Sequence, residues 1–180
     1  MNYIFNSSNF EIIDVIDQSS QYKAYLVKQK NSNSYYIANT LFLKLDDENS
    51  KSRFELYALK YVKIRHLTLH SLMGYSFYDF DGQSNPTLFY SRLINIMKFD
   101  DKLKFMKNTQ SNTEYIIIFL GVIAGLSFLH NNEIILGDFN TSVLFIKQNL
   151  YPFFGKIGYY DLFKNESDYP FKIKPPELLS

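Results

Sequence analysis

The 180-residue chain carries 19 Lys and Arg against 18 Asp and Glu, a formal net charge of +1, with 46% hydrophobic and 21% charged residues. That is ordinary globular usage, enough to bury one core or two small lobes, and it gives no electrostatic reason to expect nucleic acid or an anionic membrane as partner. The absence of Cys excludes disulfides, thiolate catalysis and thiolate metal sites, and His66, His70 and His130 are too scattered for a zinc site.

The N-terminus, Met1-Asn-Tyr-Ile-Phe-Asn-Ser-Ser, has neither a basic region nor an apolar core, so no secretory signal is expected. From Phe10 to Lys44 the pattern is strand-like: Glu11-Ile-Ile-Asp-Val-Ile and Lys23-Ala-Tyr-Leu-Val-Lys alternate, and Tyr35-Tyr-Ile-Ala is β-branched and aromatic. Asn31-Ser-Asn-Ser predicts the turn of a hairpin. Apolar residues at helical spacing (Phe54, Leu56, Leu59, Val62) predict a helix from Arg53 to His66. Two short strands follow, near 69–77 and 87–94, separated by the loop Asp79-Phe-Asp-Gly-Gln-Ser-Asn-Pro86.

Beyond Pro86 the chain changes character. Phe99-Asp-Asp-Lys-Leu suggests a short capped turn, and Asn112-Thr-Glu opens an apolar helix through Leu129. The segment Tyr115 to Leu129 falls short of the roughly 20 residues a membrane span needs, so it reads as a buried helix of a cytoplasmic protein with no membrane partner. Short strands are expected at Val143-Leu-Phe-Ile and Gly155-Lys-Ile-Gly. The order is that of a two-lobed α+β protein, with its boundary near Ser91–Met97: a β-rich lobe over 1–93 and a helical one over 94–180.

The most telling run is Ser127-Phe-Leu-His-Asn-Asn-Glu-Ile-Ile-Leu-Gly-Asp138-Phe-Asn140-Thr-Ser-Val143-Leu-Phe. It resembles the catalytic loop of eukaryotic protein kinases, the tyrosine-kinase-like group especially, where the stretch reads Leu-His-x-x-x-Ile-Ile-His-Arg-Asp-Leu-Lys-x-x-Asn-Ile-Leu. His66-Leu-Thr-Leu-His-Ser-Leu-Met-Gly74-Tyr is similar to the segment joining the family's C-helix to its next strand, and Pro176-Glu177 to the end of its Ala-Pro-Glu motif. The resemblance implies a protein-kinase-like fold, a small β-rich N-lobe plus a truncated helical C-lobe that ends just after the Ala-Pro-Glu-like motif.

Phosphoryl transfer rests on positioning phosphates and metal and on neutralising charge, so each part can be checked. Asp138 stands at the family's base, a vestigial one here, because the supporting Lys is Asn140 and the Mg²⁺-binding Asn is Val143, which offers a hard cation no oxygen. The preceding His-Arg is Leu136-Gly137, and Asp-Phe-Gly is replaced by Tyr159-Tyr160-Asp161. Asp17, Ser19 and Tyr22 take the places of the three phosphate-loop glycines. The third-strand Lys is Thr40; Lys44 is the nearest substitute for a phosphate contact, and Glu55 fits the C-helix Glu loosely. Losing one preorganised charged group costs about 2.7–4 kcal/mol in barrier. Three such losses, even at half their sum, lower a kinase's rate by roughly three to four decades.

The resemblance therefore implies an inactive pseudokinase serving as a binding or scaffold module. It would need no cofactor, and a protein partner would cover the apolar C-lobe face that the family's further helices otherwise cover. The alternatives are a weak ATP- and magnesium-dependent kinase using Asp138 as base and Lys44 as phosphate contact, and a nonfunctional gene remnant.

Overall fold

The structure is a computed structural model and describes residues 3–93, 96–109, 112–134, 136, 143–147, 150–155, 157 and 159–163. It is an α+β protein built on antiparallel sheets, and the chain divides into two compact units, 1–64 with 71–93, and 65–70 with 94–180.

The first unit holds five antiparallel strands, β1 (Phe10–Gln18), β2 (Tyr22–Gln29), β3 (Tyr35–Leu41), β4 (Leu72–Ser76) and β5 (Thr87–Ser91), in the order β1-β2-β3-β5-β4. One face closes over Phe10, Val27, Ala38 and Phe89, with Phe5 and Phe80 packed on them and aromatic centroids 4.6–6.2 Å apart. The other face takes helix α1 (Glu48–Val62), whose Phe54 meets Tyr75 edge-on at 5.8 Å. The helix starts five residues before the expected Arg53, because Asp47 and Ser50 form a reciprocal capping box: the Ser50 N–H donates to Asp47 Oδ1 at 2.6 Å. It stops at Val62 with Lys63 as its cap, short of His66.

At the β4 edge the N-terminal segment adds a further partner. The Phe5 N–H donates to the Tyr75 carbonyl at 2.7 Å, and the Tyr75 N–H donates to the Tyr3 carbonyl at 2.9 Å. A side chain at Gly74 would meet Tyr3 O at 2.7 Å, so the close approach requires glycine there.

The second unit holds a three-stranded sheet, β6 (Ile96–Lys98), β7 (Leu144–Lys147) and β8 (Pro152–Phe154), with helices α2 (Phe99–Thr109), α3 (Asn112–Asn131) and the short α4 (Tyr159–Phe163). Where the sequence suggested only a capped turn, α2 is an 11-residue helix with Asp100 and Asp101 in its first turn, favoured at that end of the dipole. Residues 68–70 run along β8: the Phe154 N–H donates to Thr68 O at 2.7 Å and the His70 N–H to Phe154 O at 2.9 Å. This backbone pairing places the 65–70 segment with the second unit.

Helix α3 packs on β8 through glycines. A methyl group on Gly121 would lie 2.5 Å from the Pro152 ring, and one on Gly125 would lie 2.6 Å from Thr68 Oγ1 and nearer still to the Phe154 ring. Ile118, Gly125 and Leu129 are buried on that side. The expectation of a buried helix fails for the opposite side, where Ile116, Phe119, Leu120 and Ile123 are exposed. At 20 residues α3 is, by length and composition alone, long and apolar enough to cross a membrane.

Candidate functional site

In the first unit the β1–β2 connection occupies the place the resemblance gives to a phosphate loop. Gly-rich loops hold phosphate with backbone N–H groups left open to the ligand. Here the N–H groups of Ser19, Gln21 and Tyr22 have internal partners. Ser19 Oγ accepts from the N–H of Gln21 at 3.2 Å and of Tyr22 at 3.3 Å, while the Ser19 N–H donates to the Tyr22 carbonyl at 2.9 Å. The Tyr22 hydroxyl donates to Asp17, and the Tyr22 side chain is buried. A carboxylate and a phenol are therefore bonded to each other beside this turn.

Strand register decides which β3 side chains face α1. Opposed residues share a face, and successive residues alternate. Tyr75 pairs with Leu88 and Leu88 with Asn39, so Asn39 lies on the face that carries Tyr75 and α1. Thr40 pairs with Thr87 on the opposite face, its hydroxyl 3.0 Å from that of Thr87 with both residues buried. Neither position supplies a cation. Lys44 lies three residues beyond the end of β3 and is exposed. No ion pair to Lys44 occurs among the described residues.

Glu55, loosely matched to the C-helix Glu, is engaged by another group: the Tyr75 hydroxyl donates to its Oε1 at 2.9 Å. Burial and this bond to a carboxylate push the Tyr75 phenol up to about 12. The sequence reading missed Tyr75. Its place on a predicted strand was visible, but nothing local marks a hydroxyl whose partner is 20 residues away.

In the second unit, Asp138, Asn140 and Gly137 lie outside the described residues, as do Pro176 and Glu177. Both flanks of the catalytic-loop frame are described. Helix α3 ends in a left-handed residue, Glu133 at φ 55°. The Ile134 N–H donates to Leu129 O and the Glu133 N–H to His130 O, each at 3.0 Å. That double closure is the Schellman pattern, and buried Leu129 and Ile134 supply its accompanying apolar contact positions. The spacing of Leu129, His130 and Ile134 thus has a structural cause independent of catalysis.

On the far flank Val143 is buried, and its carbonyl accepts from the Gly155 N–H at 2.9 Å. Tyr159, which the resemblance sets at the metal-binding Asp, is buried with its ring centroid 6.3 Å from that of Phe163. The backbone of Asp161 lies in α4 rather than in an extended loop; its side chain is outside the described residues. Among the described residues no group of three His, Asp or Glu is placed to hold a metal ion. The chain matches no model of a known protein family and no curated protein sequence.

Proposed function

We propose that this chain is a protein-kinase-related protein that does not transfer phosphate and works as a binding module, with no nucleotide or magnesium required. Kinship is supported by the Leu129-to-Val143 motif frame and by a first unit of five antiparallel strands with one helix between the third and fourth. The observation that carries the loss of chemistry is the β1–β2 turn, where the Gln21 and Tyr22 N–H groups are bonded to Ser19 Oγ and the Ser19 N–H to the Tyr22 carbonyl. Opening that turn to bind phosphate would break three hydrogen bonds, each worth about 0.5–1.5 kcal/mol, and bring Asp17 toward like charge. The Glu55–Tyr75 bond adds a second obstacle by turning one oxygen, Oε1, of the carboxylate that a phosphate-binding Lys would need toward a phenol instead.

Calorimetric titration with Mg·ATP, run beside a thermal-shift assay, tests this reading. The expected result is no saturable heat and no shift in melting temperature. A micromolar affinity that disappears in Lys44→Met would instead establish the weak kinase with Asp138 as base. Transfer of labelled phosphate, lost in Asp138→Asn, would then follow.

A further inference from the structure

We propose that the outward face of α3 is the interface of a two-fold symmetric homodimer, which deepens the binding-module reading by naming the partner as a second copy of this chain. Ile116, Phe119, Leu120 and Ile123 are 58%, 64%, 59% and 46% exposed, and Tyr115 and Ile117 flank them at 37% and 39%. The first four recur at i, i+3, i+4 and i+7, one continuous stripe along two turns. At roughly 200 Å² for a large side chain, six half-exposed residues leave about 600 Å² of apolar surface open. That is the upper end of what a monomer tolerates as one patch. Doubled across a two-fold axis it reaches about 1,200 Å², the lower edge of specific interfaces.

The chemistry of the face favours a copy of itself over other occupants. Within α3 the only formally charged residue is Glu114, and it is paired with Lys102 at 3.1 Å, so the stripe offers a foreign charged partner nothing to read. Against its own copy no charge complement is needed, because an isologous contact sets each side chain against the same apolar set. An antiparallel approach also brings the N-terminal end of one helix dipole to the C-terminal end of the other. A bilayer fits less well. The opposite side of α3 is held to Pro152 and Phe154 through Gly121 and Gly125, and a helix lying on a membrane carries Lys or Arg beside its apolar face, which α3 lacks.

Sedimentation equilibrium of the full chain over a wide concentration range gives the test. The expected species is twice 21.2 kDa in reversible exchange with monomer. Leu120→Glu should raise the dimer dissociation constant at least about a hundredfold, because a carboxylate would be buried unpaired at the centre of the interface. Position 120 is exposed, so the variant keeps its fold, and its melting curve at low concentration should match that of the wild type. Mixing Leu120→Glu with Leu120→Lys should restore the doubled mass, and Leu56→Glu, at a still more exposed position on α1, should leave dimerisation untouched. A wild type that stays monomeric throughout, aggregates without defined stoichiometry, or dimerises equally well as Leu120→Glu overturns the proposal. So does a monomer that co-sediments with phosphatidylcholine–phosphatidylserine vesicles, which would assign the face to lipid. None of these outcomes bears on Mg·ATP, so the two readings fail separately.

Discussion

Replacing Gly125 with Ala is the sharpest test of how the second unit is built. In an exposed helix position the change should stabilise by about 1 kcal/mol, the difference in helix propensity. Here the new methyl would stand 2.6 Å from Thr68 Oγ1 and closer to the Phe154 ring. Neither neighbour can retreat. Phe154 is fully buried and bonded through its N–H to Thr68 O at 2.7 Å, and Thr68 Oγ1 lies 2.7 Å from His66 Nδ1, a ring stacked on Phe128 with centroids 4.3 Å apart. Overpacking of this kind costs about 1–3 kcal/mol, and with contacts on two sides the upper part of that range applies. Net of the propensity gain, a loss of about 1–2 kcal/mol is expected. That lowers the melting temperature by roughly 2–8 °C for a chain of this size. Urea unfolding, followed by circular dichroism and by amide exchange along α3, reads the effect. The neighbouring exposed Ala124, changed to Gly, provides the calibration: it should cost about 1 kcal/mol through propensity alone. A Gly125→Ala protein as stable as the wild type, or more so, would refute the close approach of α3 to β8.

Two further outcomes follow from the caps and the buried phenol. Glu133 holds a left-handed backbone at φ 55° that glycine adopts without a steric cost, so Glu133→Gly should stabilise by about 0.5–1 kcal/mol; a lower urea midpoint would contradict the Schellman ending. Tyr75→Phe removes a hydrogen bond to the Glu55 carboxylate and should cost about 1–3 kcal/mol near neutral pH. Because folding raises the Tyr75 phenol to about 12, its contribution is complete below the ordinary tyrosine value near 10 and is lost as pH rises through about 12. The stability gap between wild type and Tyr75→Phe should therefore be flat up to about pH 10 and close above it. A gap that widens with alkali would show that the Tyr75–Glu55 bond has been misread.

Alternating or β-branched residues made β1 through β3 legible, the loop at 79–86 marked β4 and β5, and helical spacing marked α1, while α3 showed as an apolar run behind Asn112-Thr-Glu. The start of α1 was hidden by its cap: Asp47 is answered by Ser50 rather than by the Glu or Gln that usually marks a capping box. The length of helix α2 is not legible, since its two leading Asp residues signal an N-terminus but not how far the helix continues. Of the candidate site, the departures from the pattern that the kinase resemblance implies could be read directly, because side-chain chemistry is a property of the residue.

The sequence by itself determined that the chain is α+β and which residues stand at the positions the kinase resemblance would give to phosphate-handling groups, since both depend on residue type and local pattern. Tertiary structure alone decided that Ser19 and Tyr22 close their own turn, that Asn39 and not Thr40 faces α1, and that Tyr75 takes up Glu55. It also decided which side of α3 is inner. That helix is apolar almost all round, so periodicity could not choose; Gly121 and Gly125, the residues with least side chain, let the backbone approach Pro152 and Phe154 and turn the larger residues outward. Contacts of this kind depend on strand register and helix rotation set by residues distant in sequence, and local pattern carries no record of them.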